Sequence, residues 1–389
     1  TIELRMKKNV FLLIPFCACL ATSCIKDEPL NSECDIEVCK VHHDAADTIF
    51  YVVSDTLQNV NSTDSVIIYS IRPDVRREDL SQVRVTLATT PGATVTPANG
   101  SVQDFSKGDV TYTVVSEDKQ WSRIYKVRFI PMTVLNPNFD FETVELEQPK
   151  ERFYNWFAYG RGNVRQDLWA TGNSGFALSR SSAKPHEYPS VMLEKGVSGK
   201  GVKLETCSTG AFGAMVNMRI AAGNLFLGSF DTQNALKDAM KATRFGVPVN
   251  QKPLRFTGYY KFQPGEKFQD RYGMEVLGRV DAPDAYAVLY KNTDENGQPV
   301  TLYGDDVLTH ENIVAIARVP EFKVTGVADT CAWEHFDLPL EYRQNLDIAR
   351  LRNFGYNLAV VFTSSIDGAT FCGAVGSTLL VDESTIIYE

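Results

Sequence analysis

The sequence lacks long apolar runs and basic clusters. Its longest apolar run covers residues 10–20, which is too short for a transmembrane helix of about 20 residues. The 39 basic and 48 acidic side chains give a net charge of −9, and the body of the chain has no basic cluster beyond Arg76 and Arg77. Because a surface of this sign repels a phosphate backbone, the composition argues against nucleic acid as a partner.

Catalytic motifs are also missing. The 389 residues contain no His-Glu-x-x-His, Gly-x-Ser-x-Gly, P-loop or dinucleotide fingerprint, and the five histidines show no metal-ligand spacing. Acidic residues are plentiful, but nothing in the sequence pairs two of them at the separation that glycosidic cleavage requires. The sequence therefore predicts no catalytic residue and leaves enzymatic activity open, with the balance against it.

The N-terminal region has the pattern of a signal peptide covering residues 6–23. Lys7 and Lys8 precede the apolar run, and small residues then lead to Cys24. This pattern resembles a lipobox, in which Cys24 carries the lipid, although an ordinary cleaved signal peptide is the alternative. The acidic residues that follow resemble the export signal of Bacteroidetes surface lipoproteins. The resemblance implies a lipid anchor in the outer membrane, with the protein exposed at the cell surface.

Five cysteines remain after the signal peptide and Cys24 are set aside: Cys34, Cys39, Cys207, Cys331 and Cys372. An odd number implies no complete disulfide framework. Cys34 and Cys39 are close enough in sequence to bridge locally in an oxidising compartment, and the sequence leaves that pairing open.

Alternating apolar residues predict an all-β protein with two sandwich domains. Short alternating runs lie at residues 49–53, 66–69, 83–87, 112–115 and 125–129, which indicates a small immunoglobulin-like sandwich over residues 41–131. Residues 24–40 are predicted to be a tether, and the break after Pro131 marks the domain boundary. Beyond it, residues 133–389 alternate at 202–206, 254–262 and 285–290, which predicts a jelly-roll sandwich. One short helix is expected after Asp231.

The C-terminal signature, residues 364–382, is predicted to form a glycine-rich bend and a final strand. Gly373 and Gly376 are expected to allow a close backbone approach. This signature resembles that of the putative carbohydrate metabolism domain of gut Bacteroidetes lipoproteins. Four further stretches match that family in order, at residues 169–175, 222–230, 244–248 and 256–265. The first domain is similar to the immunoglobulin-like spacers of Bacteroidetes surface proteins.

The resemblance implies a surface lipoprotein that binds a polysaccharide or oligosaccharide, and the missing catalytic motifs favour binding without cleavage. Two alternatives stay open: a glycoside-active enzyme on the same fold, and a structural or adhesive protein that binds another protein. Aromatic rings are the natural platforms for sugar, since a ring packs on the apolar face of a pyranose. The predicted glycan-binding residues are Trp156, Tyr159, Trp169, Asn173 and Trp333.

A structural Ca²⁺ ion is also expected by resemblance. Many jelly-roll carbohydrate-binding modules begin with Asn-x-x-Phe-Glu, end with an aspartate on the last strand, and hold calcium between the two. In this chain, Asp140 and Asp382 are the corresponding residues, with Glu142 as a substitute ligand. The alternative is that these acids merely face solvent or cap a strand.

Overall fold

The computed structural model describes residues 29–51, 53–72, 75–132, 135–160 and 165–389. The predicted signal peptide, Cys24 and the first part of the predicted tether lie outside these residues. None of the helices in the described ranges is long and apolar enough to span a membrane. Cys34 and Cys39 are both free thiols, as are the three cysteines of the second domain.

The first domain is a sandwich of two four-stranded sheets. Its strands are β1 (Ile36–His42), β2 (Leu57–Asn59), β3 (Val66–Ile71), β4 (Val83–Thr89), β5 (Thr94–Thr96), β6 (Val102–Gln103), β7 (Val110–Val115) and β8 (Ser122–Pro131). One sheet has the order β2-β1-β4-β6 and the other β3-β8-β7-β5, with β3 parallel to β8. Alternate residues such as Val83, Val85, Tyr125 and Val127 fill the core between them. The predicted immunoglobulin-like sandwich is confirmed.

Two local predictions in this domain are wrong. Strand β1 begins at Ile36, inside the stretch predicted as a tether, because Ile36 and Cys39 are buried in the sandwich core. The run predicted as a strand from Ile49 instead closes a short helix, α1 (Ala46–Ile49). Ile49 and Phe50 are adjacent and both buried, so this run does not have the alternation that a half-buried strand needs.

The second domain contains many short strands. They are β9 (Asn138–Phe139), β10 (Val144–Leu146), β11 (Tyr154–Trp156), β12 (Ala158–Tyr159), β13 (Arg165–Gln166), β14 (Trp169–Ala170), β15 (Ser190–Leu193), β16 (Gly201–Glu205), β17 (Cys207–Ser208), β18 (Ile220–Ala221), β19 (Asn224–Phe230), β20 (Thr243–Phe245), β21 (Val247–Val249), β22 (Pro253–Gln263), β23 (Phe268–Gln269), β24 (Asp284–Lys291), β25 (Ile313–Arg318), β26 (Glu334–Pro339), β27 (Glu341–Tyr342), β28 (Tyr356–Thr363), β29 (Gly373–Ala374) and β30 (Thr378–Tyr388).

Two large sheets pack face to face in this domain. The eight-stranded sheet has the order β14-β19-β28-β24-β25-β27, with β20 and β21 attached to β19 and β28. The six-stranded sheet has the order β15-β16-β30-β22-β26, with β9 attached to β30. Leu227, Ala287 and Val360 from the first sheet meet Phe256 and Leu379 from the second in one apolar core. The predicted jelly-roll sandwich is confirmed.

The eight-stranded sheet also buries its outer face. Because side chains alternate along a strand, Phe226, Tyr286 and Val361 point away from the main core and form a second apolar layer. Short helices and single turns cover this layer: α2 (Asn173–Ser179), α3 (Gly210–Met215), α4 (Asn234–Lys237), and the 3₁₀ turns Ala239–Lys241 and Gly368–Thr370. This cover makes the sheet unlike an open, solvated sandwich face.

The prediction of a single helix in the second domain is wrong, since its described residues form four, α2 to α4 and α5 (Ile348–Arg352) near the C-terminus. Asp231 does accept a hydrogen bond from the Gln233 N–H, at 3.1 Å, close to where a cap was expected. However, the helix ends at Lys237, and strand β20 follows soon after. Helices α2 and α3 contain glycine, which has low helix propensity, and helices this short depend on tertiary packing. Periodicity therefore does not reveal them.

Candidate functional site

A cleft of about 260 Å³ lies between the outer face of the eight-stranded sheet and the elements that cover it. Its floor consists of Phe226 of β19, Tyr286 of β24 and Val361 of β28. Helices α2, α3 and α4 contribute walls, among them Phe176 and Leu236. A sheet floor and three separate strand connections therefore form the cleft together.

The mouth of the cleft is apolar and open to solvent. Phe212, Leu236 and Ile366 line the cleft and are 43%, 47% and 40% exposed, respectively. Exposed apolar side chains gathered at a concave opening are typical of a ligand-binding surface. The second domain therefore offers a concave site on the face of the sheet that turns away from the main core.

One ion pair provides the charged groups of the cleft. The Arg318 Nε and Nη2 atoms donate to the two carboxylate oxygens of Asp284, at 3.0 and 2.7 Å. Burial raises the pKa of the Asp284 carboxyl, and the hydrogen bonds from Arg318 oppose this shift without reversing it. The Asp284 bond in turn raises the pKa of the Arg318 guanidinium. The pair supplies a polar position beside an otherwise apolar floor.

A buried carboxylate anchors the segment that closes one side of the cleft. Asp281 is 2% exposed, and its Oδ2 accepts hydrogen bonds from Ser365 Oγ at 2.6 Å, Ser377 Oγ at 2.7 Å and the Ala374 N–H at 2.7 Å. Its Oδ1 accepts from the Ala282 N–H. Because Ser365 lines the cleft, this carboxylate fixes one wall in place.

A chain of hydroxyls extends the same network. Thr206 Oγ1 lies 2.6 Å from Ser365 Oγ and 2.7 Å from Ser364 Oγ, and Ser364 Oγ accepts the Gly223 N–H at 2.9 Å. The prediction of a close approach is confirmed at Gly373, where an added Cβ would lie 2.7 Å from Ser365 Oγ. At Gly376 no atom lies within 4 Å of that position, so its positive φ of 91° is what favours glycine there.

The five residues predicted to bind sugar are all described, and none of them lines the cleft. Trp156 is 2% exposed and packs in the main core. Asn173 is fully buried, and its amide both donates to the Ser190 carbonyl and accepts the Ser190 N–H. The predicted sugar contacts of Trp156 and Asn173 are wrong, because neither side chain is accessible.

Trp169 lies on strand β14 rather than on the predicted loop, and the glycines after it belong to the region of helix α2. Its ring meets Phe139 and Phe141 edge to face, with centroids 5.1 and 5.5 Å apart. The side chain is half-buried against the main core. This packing indicates a structural role for Trp169.

Tyr159 and Trp333 keep some accessible surface. Tyr159 is 45% exposed on strand β12. Trp333 is half-buried, with the Lys261 Nζ 5.0 Å from its ring centroid, at the six-stranded sheet and so away from the cleft. Sugar binding by these two residues stays a prediction.

The structure brings the three predicted calcium ligands to one region, where β9 pairs with β30. Asp382 is fully buried, and its Oδ2 accepts the N–H groups of Val197 and Ser198, at 2.6 and 3.1 Å. Glu142 Oε1 accepts the Lys200 N–H from the same loop, at 3.0 Å. Backbone N–H groups of the loop between β15 and β16 therefore donate hydrogen bonds to two of these carboxylates, those of Asp382 and Glu142.

Sequence reasoning missed Glu383, a fourth carboxyl of this region. Burial is the largest cause that raises the pKa of the Glu383 carboxyl, and the charges of Asp140 and Glu142 raise this pKa further. Burial also raises the pKa of the Asp382 carboxyl to about 6, against three backbone hydrogen bonds that lower it. Among the described residues, no three His, Cys, Asp or Glu side chains converge in the geometry of a metal site.

The residues of the cleft were also missed. Asp284 is the first residue of strand β24 and precedes a run of apolar residues, and Arg318 follows the apolar run of strand β25 as its last residue. A charged residue at the end of an apolar run is the one sequence signal that marks them. A charge at the end of a buried strand needs a partner, and β24 pairs with β25 so that the two meet. The mouth residue Phe212 lies in a glycine-containing segment without periodicity, so no sequence pattern marks it.

Together, the two sandwiches and the cleft define an all-β protein with a concave site on one sheet. Residues 140–387 match the family described as putative carbohydrate metabolism domain, and the chain belongs to this family. Residues 49–128 match a second family, described as SGBP, N-terminal.

Two solved structures are similar to this chain. A protein of Bacteroides thetaiotaomicron VPI-5482, called a putative glycoside hydrolase, is 35% identical with a TM-score of 0.77, over 94% of this chain and 99% of its own. A protein of Bacteroides vulgatus ATCC 8482, also called a putative glycoside hydrolase, is 34% identical with a TM-score of 0.59. That similarity covers 66% of this chain and all of the other. No curated protein matches this chain.

Proposed function

We propose that this protein captures glycan at the bacterial cell surface without cleaving it, and that the cleft over the eight-stranded sheet is the binding site. One observation carries the proposal. Among the described residues that line the cleft, Asp284 alone bears a carboxylate, and Arg318 already binds both of its oxygens. Glycoside hydrolases generally need two carboxyl groups, about 5–9 Å apart, to flank the bond. Aromatic residues beside a few polar groups suit binding instead.

A glycoside-active enzyme is the second candidate. The similar Bacteroides proteins are called putative glycoside hydrolases. In addition, burial and the nearby charge of Asp367 raise the pKa of Asp284, the direction expected for a general acid. Asp367 forms an ion pair with Arg279, so a catalytic role for it would require that pair to open.

The first test is binding of purified protein to a panel of polysaccharides, measured by affinity electrophoresis. We expect at least one glycan to retard the wild type, and Ile366→Trp to weaken that retardation about tenfold or more, because the larger ring fills the mouth. The matched control is Leu178→Trp, since Leu178 is 44% exposed on α2 but does not line the cleft. Equal binding by the two variants would place the glycan elsewhere on the molecule.

The same samples distinguish binding from catalysis. Wild-type protein incubated with the bound glycan should release no new reducing ends, and Asp284→Asn should keep its retardation within about threefold. Release of reducing ends by the wild type, lost in Asp284→Asn, would instead establish the enzyme.

The match of residues 49–128 to the SGBP N-terminal family and the lipobox resemblance at Cys24 both support the proposed surface location. We expect Cys24→Ala to abolish fatty-acid labelling of the protein when it is expressed in a Bacteroidetes host. The variant protein should also leave the membrane fraction. Continued labelling of the variant would overturn the proposed lipid anchor.

The proposal also includes a structural Ca²⁺ ion near Asp140, Glu142 and Asp382. Its support is the gathering of like charges where the first and last strands of the domain pair, which a hard cation would relieve. We expect calcium at a hundredfold excess over its Kd to stabilise the domain by about 2.7 kcal/mol, and EDTA to remove that gain. Asp140→Asn should abolish the difference, whereas Asp329→Asn, an exposed control, should keep it. Identical melting in calcium and EDTA would exclude the ion.

A further inference from the structure

The cleft is too apolar to bury an ordinary sugar chain along its whole depth. Its lining is dominated by rings and aliphatic groups, including Phe176, Phe212, Phe226, Phe230, Phe245, Tyr286 and Phe371. A pyranose carries several hydroxyls, and each one buried without a hydrogen-bond partner costs roughly 1–3 kcal/mol. The deep part of the cleft therefore favours a group with few polar atoms.

Four hydroxyls of the lining already use their donors within the protein. Thr209 Oγ1 donates to the Met218 carbonyl, and Ser365 Oγ donates to Asp281. Ser179 and Thr363 likewise donate to backbone carbonyls. These four side chains therefore offer no free donor to sugar oxygens.

Arg318 is the charged donor of the lining. Its Nε and Nη2 bind Asp284, while its Nη1 donates no hydrogen bond to any residue in the described ranges. The guanidinium therefore keeps N–H groups for one acceptor atom of a ligand. Because Asp284 balances the charge of Arg318, the site does not require an anion, and a carbonyl or phenolic oxygen suffices.

The size of the cleft sets the size of the buried group. A dry cavity of about 150 Å³ holds one benzene ring. A cleft volume of about 260 Å³ therefore admits one substituted ring. Any further sugar residue would lie outside the cleft. Walls made of rings also favour an aromatic guest, since edge-to-face contacts add to the burial of apolar area.

We propose that the cleft binds an aromatic ring carried by a glycan, as an aryl glycoside or an aromatic ester, with Arg318 donating to an oxygen on the ring or its ester. The inference rests on the proposed function, because it names the part of the glycan that enters the cleft. Phe212 contacts the ring where it enters the cleft, and the sugar itself lies outside, beside the exposed Ile366.

The test compares ligands that differ only in the ring. Calorimetric titration would use 4-nitrophenyl and methyl glycosides of glucose, galactose, mannose and xylose, with feruloyl arabinose against arabinose as the ester arm. We expect at least one ring-bearing sugar to bind about tenfold or more tightly than its ring-free partner. The aryl and ester arms distinguish the two sources of the ring.

Variants at the mouth connect this preference to the cleft. Phe212→Ala should weaken binding of the ring-bearing ligand about fivefold or more. The affinity for its ring-free partner should change by less than about twofold. Met215→Ala is the matched control, since Met215 is 82% exposed on the same helix and does not line the cleft. Both positions are exposed, so folding should survive, and melting curves would verify this.

The results that would contradict the aromatic inference differ from those that would contradict glycan binding. Equal binding of ring-bearing and ring-free sugars, with polysaccharide binding intact, would overturn the aromatic inference and keep glycan binding. Binding of free 4-nitrophenol or ferulic acid as tight as that of the glycosides, with no polysaccharide retained, would overturn glycan binding itself. Binding of neither class would overturn both.

Discussion

Asp281→Ala is expected to lower the free energy of unfolding of the second domain by roughly 3–5 kcal/mol. The substitution removes the acceptor of four hydrogen bonds at a site that is 2% exposed. The donors from Ser377 and Ala374 would then lose their acceptor inside the protein, and Ser365 would keep only Thr206 Oγ1. Urea unfolding of the isolated protein, followed by tryptophan fluorescence, measures this loss.

The control is Asp329→Ala. Asp329 also forms an ion pair, with Lys195 at 2.9 Å, but both side chains are more than two-thirds exposed. Removing an exposed pair changes stability by less than about 1 kcal/mol. If Asp281→Ala unfolds at the same urea concentration as this control, the C-terminal signature does not depend on the buried carboxylate. Because Ser365 lines the cleft, we also expect the Asp281 variant to bind glycan more weakly than wild type.

Trp169→Ala is expected to destabilise the second domain by roughly 2–4 kcal/mol, toward the lower part of the range for large-to-small core changes because the ring is only half-buried. The change removes the edge-to-face contacts with Phe139 and Phe141. Since Trp169 does not line the cleft, glycan affinity measured well below the melting temperature should stay within about twofold.

Trp121→Ala provides the same chemical change at an exposed site. Trp121 is 62% exposed in the first domain, so its loss should alter stability by no more than about 0.5 kcal/mol. The opposite pattern is also informative: wild-type melting of Trp169→Ala together with lost glycan binding would restore the sugar-stacking hypothesis for this residue.

The Asp281→Ala and Trp169→Ala variants distinguish residues that stabilise the domain from residues that contact the glycan. Neither Asp281 nor Trp169 lines the cleft, since Asp281 lies behind a cleft wall and Trp169 is half-buried against the main core. Phe212 and Ile366, in contrast, combine exposure with a position on the lining. A glycan-binding phenotype at the second pair, with normal melting, is therefore the more direct sign of a ligand contact.

The sequence alone determined the two sandwich domains and the course of many strands. Strands β4 and β16 both follow alternating apolar residues, because each has one face on a core, and that periodicity is local. The family also followed from stretches of sequence, since residues 140–387 match it over their length. The sequence predicted a close approach at both Gly373 and Gly376, and the prediction is confirmed at Gly373 and wrong at Gly376.

Tertiary structure decided which side chains are accessible. Asn173 and Trp156 have sugar-binding chemistry, but the packing of distant strands buries them, and no local pattern reports that burial. The cleft joins Phe226, Asp284 and Ile366, which are far apart in the chain and meet only when β19, β24 and β28 pair. Such contacts depend on long-range register and on short helices without periodicity, so the site is a property of the folded domain.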